Sequence, residues 1–339
     1  MSATSAIIEI KPLSFPWETL DPFIFCVHHG DKFPKGNEAM GPATSLAGRN
    51  IGQDFSGKDH WSMYHGQTVP GFPYHPHRGF ETVTVVKEGV VDHTDSLGAA
   101  GRFSSGDVQW MTAGKGVLHS EMFPLLHAEK ENPMELFQIW LNLSKASKFV
   151  QPHFKMLWKE NIPVLKEQDA AGNTIEVNVI AGELKGLRAP DPTPDSWAAD
   201  ATHEVAILTI KMDSNATWIL PKAQAGINRK LYFYRGGAMK IADTDVSVYH
   251  SIQLTSEFDV TLQAGNETCY LLLLQGKPIN EPVVQYGPFV MNTEAEIREA
   301  FAEYQKTQFG GWPWPNQEQV HARESGRFAL HADGREEKM

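Results

Sequence analysis

The chain has 339 residues, with 30 basic against 41 acidic side chains and a formal net charge of −11 with histidine neutral. A chain this long can bury two domain-sized cores without a disulfide or metal staple, so a bound metal reads as functional rather than structural. The acidic balance disfavours direct binding to nucleic acid, which needs a cationic footprint.

The first residues, MSATSAIIEIKPLSFPWE, lack a basic stretch followed by a long apolar run and do not read as a secretory signal. No stretch approaches the roughly 18 apolar residues of a membrane span. Cys26 and Cys269 lie far apart and read as reduced thiols in a cytoplasmic protein.

The segment Gly41 to Gly71 precedes a pair of histidines, His75 and His77. Glu81-Thr-Val-Thr-Val-Val86 is β-branched and closed by Gly89, the pattern of a strand. Val90 to Asp95, Val108 to Thr112 and Leu136 to Leu143 read as further strands, with Ser105-Gly106-Asp107 as a turn between two of them. Residues 144–201 are less regular. Alternating prolines from Pro190 to Pro194 mark a loop there.

Strand grammar returns in Lys230 to Ile241, Asp259 to Ala264 and Cys269 to Gln275. The recurrence predicts a duplicated all-β architecture of sandwich or barrel type. One helix is expected after Asn292 or Thr293, where Thr293-x-x-Glu296 fits a capping box and Ile297, Ala300, Phe301 and Tyr304 repeat at helical spacing. Gly310-Gly311 should stop it. The residues from Glu318 to Met339 read as a polar, loosely attached or partly disordered tail. The expected domains are 1–150, 151–312 with the helix, and the tail 313–339.

The chemistry concentrates in two short pairs, His75-x-His77 and His119-x-Glu121. A strand points residues i and i+2 to one face, so each pair presents two ligands together. A lone strand histidine is more often hydrogen-bonded than ligating. Two such pairs on separate strands favour a metal site if the strands meet inside a barrel. Three imidazoles and a carboxylate suit a borderline divalent cation and leave coordination positions open for substrate or O2. Glu81, four residues beyond His77, is expected on the same face as that ligand and is a candidate base. Arg78 and Gln109 are candidate hydrogen-bonding neighbours. Phe80, Trp110 and Met111 are expected to line the barrel. The second half contains no His-x-His pair, so one site is expected.

The stretches His75-Pro-His-Arg-Gly-Phe-Glu-Thr-Val-Thr84, Asp95-Ser-Leu-Gly98, Gly106-Asp-Val-Gln-Trp-Met-Thr-Ala-Gly-Lys-Gly116 and Val117-Leu-His-Ser-Glu-Met122 resemble the pirin family of the cupin superfamily. Gly287-Pro-Phe-Val-Met-Asn-Thr293 is similar to that family's C-terminal signature. The resemblance implies two consecutive cupin (jelly-roll β-barrel) domains with a C-terminal α-helix. It implies a metal, one per chain, in the N-terminal domain, held by His75, His77, His119 and Glu121. Iron(II) comes first, with manganese, nickel, copper or zinc as alternatives.

It implies a dioxygenase of the quercetin 2,3-dioxygenase type, acting on a small aromatic or chelating substrate with O2, with Glu81 or Glu121 as the proton acceptor. The alternative reading is an iron-dependent, redox-sensing interaction protein that modulates transcription through a protein partner without binding DNA. Another cupin reaction on a chelating substrate is a third. The segment Gly41 to Gly71 looks longer than in shorter relatives and is expected to form a lid or rim over the barrel mouth.

Overall fold

The structure, a computed structural model, describes residues 5–339. They are almost entirely strand and loop, with one α-helix at Glu294–Thr307 among the described residues. Among the described residues no helix is long and apolar enough to cross a membrane.

The chain divides into two compact β-units. One comprises residues 27–159 and 281–339, the other residues 5–26 and 160–280. This differs from the boundaries 1–150, 151–312 and 313–339 at both ends of the chain. Ile7–Pro12 pairs antiparallel with His250–Leu254 and covers an edge of a sheet in the second unit. The helix and the tail belong to the first unit. Phe328–Leu330 pairs with Ala100–Ser104, so the tail is not loosely attached. Such pairings span more than 200 residues and leave no local signal.

In the first unit a five-stranded sheet runs in the order His153–Leu157, Val108–Thr112, Phe80–Glu88, Asn132–Asn142, Phe23–Phe33. A six-stranded sheet runs Glu336–Lys338, Phe328–Leu330, Ala100–Ser104, Val90–Asp95, Val117–Met122, Gly71–His77. The strand Phe80–Glu88 alternates Thr82 and Thr84 with Val83 and Val85, and all four are buried. Both faces of this strand are therefore covered, which suits its β-branched composition.

Phe33, Val86, Val91, Phe103, Phe123, Leu136 and Phe154 join in one apolar cluster. Each such fully buried side chain contributes roughly 1.5–3 kcal/mol relative to exposure. The layer beyond this cluster is polar and carries the histidines. The chain passes from the His75 strand to the Phe80 strand through Arg78-Gly79. Gly79 has φ +85°, and a Cβ there would collide with the Val290 carbonyl, so the turn requires glycine.

The helix begins at Thr293, where Glu296 N donates to Thr293 Oγ1 at 3.2 Å and Thr293 N donates to Glu296 Oε2 at 2.9 Å. It packs Ile297, Ala300, Phe301 and Tyr304 on Phe289 and Met291. Glu303 on this helix forms an ion pair with Arg78 Nη2 at 2.8 Å.

The second unit repeats the plan. Thr217–Leu220 pairs with Val260–Ala264 with Leu220 opposite Val260, as Gly71–His77 pairs with Val117–Met122 with His77 opposite Val117. In this correspondence Trp218, Leu220, Leu262 and Ala264 stand where the first unit has His75, His77, His119 and Glu121. Those four offer no metal ligand. Trp218, Leu220 and Leu262 instead join the apolar core with Leu231, Phe233 and Leu271. Both cysteines are buried and neither forms a disulfide.

Candidate metal centre

The site is built on two adjacent antiparallel strands. His75 lies directly opposite His119 in register, and a register shift between Phe72 and His75 sets the pair in place. His75 and His77, two residues apart, turn their rings to the same face. The candidate ligand atoms of His75, His77 and His119 all lie within 4.8 Å of one another. The Nε2 atoms of His75 and His77 are 3.1 Å apart.

The other ring nitrogens fix the tautomers. His75 Nδ1 lies 2.8 Å from the Pro73 carbonyl and His77 Nδ1 lies 3.4 Å from the Pro288 carbonyl. Each Nδ1–H donates, which leaves the Nε2 lone pairs aimed into the site. His119 is fully buried and neither of its ring nitrogens has a hydrogen-bond partner in the protein. A buried imidazole in that state costs free energy that a cation would recover. The donor set and the orphaned His119 fit a divalent metal.

Burial pushes the His75 imidazole down to about 4, with smaller repulsion from His65 and His93. Burial also drives His77 and His119 well below the usual histidine range, reinforced by the neighbouring imidazoles. All three are therefore neutral near pH 7, the form that ligates.

Glu121 borders the triad. Its Oε2 lies 3.9 Å from His119 Nε2. Its Oε1 accepts from the Thr84 hydroxyl at 2.8 Å and its Oε2 from Gln138 Nε2 at 2.6 Å. Burial raises the Glu121 carboxyl, and the Thr84 and Gln138 bonds hold it back. The three imidazoles form the tight group, and the carboxylate stands one step aside.

Glu81 is not at the site. It is opposite Thr112 and Leu141 in register, whereas Thr84, which reaches Glu121, is opposite Gln109 and Gln138. Residues 81 and 84 differ by an odd number and face opposite sides of the strand. Glu81 accepts the Thr112 hydroxyl at 2.6 Å there. Counting four residues from His77 fails because the Arg78-Gly79 turn carries the chain into the other sheet. Arg78 also points away, donating to the Lys115 carbonyl and lying over the Phe309 ring at 4.5 Å. Gln109 shares the interior face with Thr84.

Several neighbours escaped the sequence reading. Thr84 and Gln138 hold Glu121, and the only local signal for Gln138 is a polar residue in an apolar run. Trp140 stacks on Phe80 at 3.9 Å and meets the His77 ring at 5.2 Å, closing one wall. His93 lies opposite Glu121 in register, 5.5 Å from His119 between ring centroids.

The segment from Gly41 to Gly71, expected as a lid or rim, is tied down by polar contacts. The Arg49 guanidinium donates to Asp54 and to the carbonyls of Trp61 and Lys58, and lies 3.4 Å over the Trp61 ring. Asp31 accepts from Ser62 N at 2.9 Å and from the Tyr64 hydroxyl at 2.7 Å, and His29 Nδ1 meets that hydroxyl at 2.9 Å. The Glu318 carboxylate accepts from the amides of Gln67, Thr68 and Val69. Tyr64 stacks on Phe72, which reaches the His75 ring at 6.3 Å.

Comparison with known proteins gives a consistent picture. The family described as Pirin matches residues 16–141, and the Pirin C-terminal cupin domain matches residues 207–310. Pirin-like protein 2 of Arabidopsis thaliana is 36% identical over 243 residues, covering 69% of this chain and 69% of that protein. Pirin of Rattus norvegicus is 34% identical over 256 residues, covering 73% and 80%. The crystal structure of quercetin 2,3-dioxygenase from Acinetobacter baumannii is similar with a TM-score of 0.71 and 27% identity, covering 91% of this chain and 99% of that one.

Proposed function

The chain belongs to the pirin family, and we propose that its first barrel is a metal-dependent dioxygenase centre of the quercetin 2,3-dioxygenase type. The observation that carries this reading is the group of three neutral imidazoles, with His119 orphaned and Glu121 beside it. His75, His77 and His119 would hold the ion, with Glu121 as a fourth ligand. Iron(II) is the first choice, with manganese, nickel, copper and zinc as alternatives. A divalent ion there supplies Lewis acidity and open positions for a chelating oxygen and O2.

The chain's own residues do the rest. The carbonyls of Pro73 and Pro288 keep the His75 and His77 rings oriented. Glu121, beside His119, would accept the proton of the substrate hydroxyl by leaving the ion transiently. Thr84 and Gln138 hold the carboxylate where it can reach either the ligand cluster or the substrate. Trp140 and Phe80 exclude water on the side of His77. The substrate class is a flavonol-like, chelating aromatic molecule, cleaved with O2 and release of carbon monoxide. The reduced thiols and acidic charge fit a cytoplasmic protein that does not bind nucleic acid directly.

Protein reconstituted with iron, manganese, nickel, copper or zinc is incubated with quercetin while oxygen and flavonol are followed together. Coupled loss of both is expected with at least one metal. Absence of turnover with every metal sinks the dioxygenase reading and turns attention to the redox-sensing co-regulator.

A further inference from the structure

We propose that the barrel interior behind the three imidazoles contains an ordered water site, and that His93 is a positioning residue that acts on Glu121 through it. The effect on Glu121 rests on the metal-centre reading above. The water site itself does not.

Several buried side chains behind the triad lack partners, and a metal on the three imidazoles would not supply them. His93 is fully buried, and neither ring nitrogen has a hydrogen-bond partner in the protein. Gln109 is fully buried, and neither end of its amide has one. The buried Thr82 hydroxyl is in the same position. Native proteins leave few such groups, and a cluster of them on one interior face calls for a polar guest.

Register shows that His93 and Gln109 belong to one layer. His93 is opposite Glu121 in the six-stranded sheet. Gln109 is opposite Thr84 in the five-stranded sheet. Thr84 and Glu121 are bonded across the barrel at 2.8 Å. The neighbours of that bonded pair, His93 and Gln109, therefore face each other from the two sheets. Phe154 stacks on the His93 ring at 5.0 Å and closes one side. The nearest acid, Asp95 Oδ2, is 3.6 Å from His93 Nε2, and its Oδ1 already accepts from Leu97 N and Ala99 N.

Water is the guest this chemistry fits. An imidazole offers one donor and one acceptor, and a primary amide offers two donors and an acceptor. A buried water needs two to four such partners. The Glu121 carboxylate keeps lone pairs beyond its bonds to Thr84 and Gln138, so a water on His93 has a third partner within the same layer. Held in this way, His93 draws the carboxylate from the side opposite Gln138 and sets how far it reaches toward His119.

Two measurements decide the matter. A high-resolution crystal structure should show ordered solvent within about 3.2 Å of a His93 ring nitrogen and of the Gln109 amide. A dry layer, or a direct His93–Gln109 hydrogen bond after side-chain rearrangement, overturns the water site. The second measurement is the visible spectrum and affinity of bound cobalt(II). His93→Phe should shift the spectrum and weaken cobalt binding about tenfold, while His93→Gln, which keeps a hydrogen-bonding end, stays near wild type. Gln109→Leu attacks the same water from the other wall and should act like His93→Phe if that variant fails to fold. Folded variants with the wild-type spectrum and affinity overturn the positioning role. Wild-type protein that binds no cobalt sinks the metal reading and the role on Glu121, and diffraction still decides the water site.

Discussion

The Nε2 atoms of His75 and His77 face each other at 3.1 Å while each Nδ1 is turned to a backbone carbonyl. Two neutral imidazoles in those tautomers present lone pairs to one another, which is unfavourable unless a cation or proton lies between them. The carbonyls of Pro73 and Pro288 thus favour an arrangement that a positive charge relieves. His119, opposite His75 in register and without a partner of its own, completes a face that attracts a cation.

The metal-free protein should therefore tolerate loss of His119 well. His119→Leu removes a buried, unpartnered polar ring and replaces it with an apolar side chain, a change that is neutral or stabilising by about 1 kcal/mol. Metal retention should fall at least about 100-fold, because a ligand rather than an outer-shell partner is lost. Elemental analysis and melting curves of the metal-free form check both. A variant that keeps wild-type metal content would remove His119 from the ligand set.

Acid should act on the metal-free protein through the same rings. The folded His75 imidazole lies near 4, below its usual value near 6.5, because burial disfavours the charged form. Between those values the unfolded chain binds a proton that the folded chain does not, so stability is lost as pH falls from about 6.5 toward 4. His77 and His119 are depressed in the same direction. The melting temperature should fall through this window, and metal should be released through it too, because protons compete for the ligand nitrogens. Melting curves at half-unit pH steps with and without metal test this. A flat profile between pH 7 and 4.5 would contradict it.

The two carboxylates weighed as bases separate cleanly. Glu81→Gln alters a residue on the face away from the histidines, bonded to Thr112. It should leave metal content and flavonol turnover unchanged while lowering stability by about 1–3 kcal/mol. Glu121→Gln should abolish turnover at full folding. Loss of turnover in Glu81→Gln with wild-type metal content would reinstate Glu81.

What the sequence revealed and what it hid follow from range. The ligand pairs are legible because i, i+2 alternation is local and the register between their strands brings His75 to His119. The C-terminal helix is legible because the capping box and the apolar spacing are local too. Glu81 misled because parity holds only within one strand, and Arg78-Gly79 ends the His75 strand. Thr84 and Gln138 were invisible as partners of Glu121 because they reach it from the opposite sheet, 37 and 17 residues away. The exchange of chain ends between units was hidden for the same reason, since Ile7–Pro12 finds its partner near residue 250.

Gln138 offers a test of how Glu121 is tuned. Its amide donates to Glu121 Oε2 at 2.6 Å and favours the ionised carboxylate against the burial that raises it. Gln138→Leu removes that donor, so the Glu121 carboxyl should rise further. A base must be ionised to accept a proton, so the acidic limb of the turnover profile should move to higher pH. Turnover near pH 7 should fall by roughly 10-fold, in line with losses on removing a supporting partner. A profile that scales down without moving would assign Gln138 to packing rather than to the carboxylate.

The rim before His75 should behave as a rigid wall held from within. The Arg49 side chain is buried and donates to the Asp54 carboxylate at 2.9 Å and to two backbone carbonyls, with its plane over Trp61. Arg49→Ala leaves the buried Asp54 carboxylate without its cationic partner, and breaking such a pair costs about 3 kcal/mol. Asp54 is held down to about 2 by Ser56, the Met63 amide and Arg49 acting against its burial, so the pair stays ionised well below neutral pH. If the rim is a wall, Arg49→Ala should raise hydrogen exchange across residues 49–64 and lower substrate selectivity, while metal content stays at wild type, because none of its partners touches a ligand. If the rim opens and closes in the wild-type protein, exchange across residues 49–64 will already be fast, and the substitution will change it little.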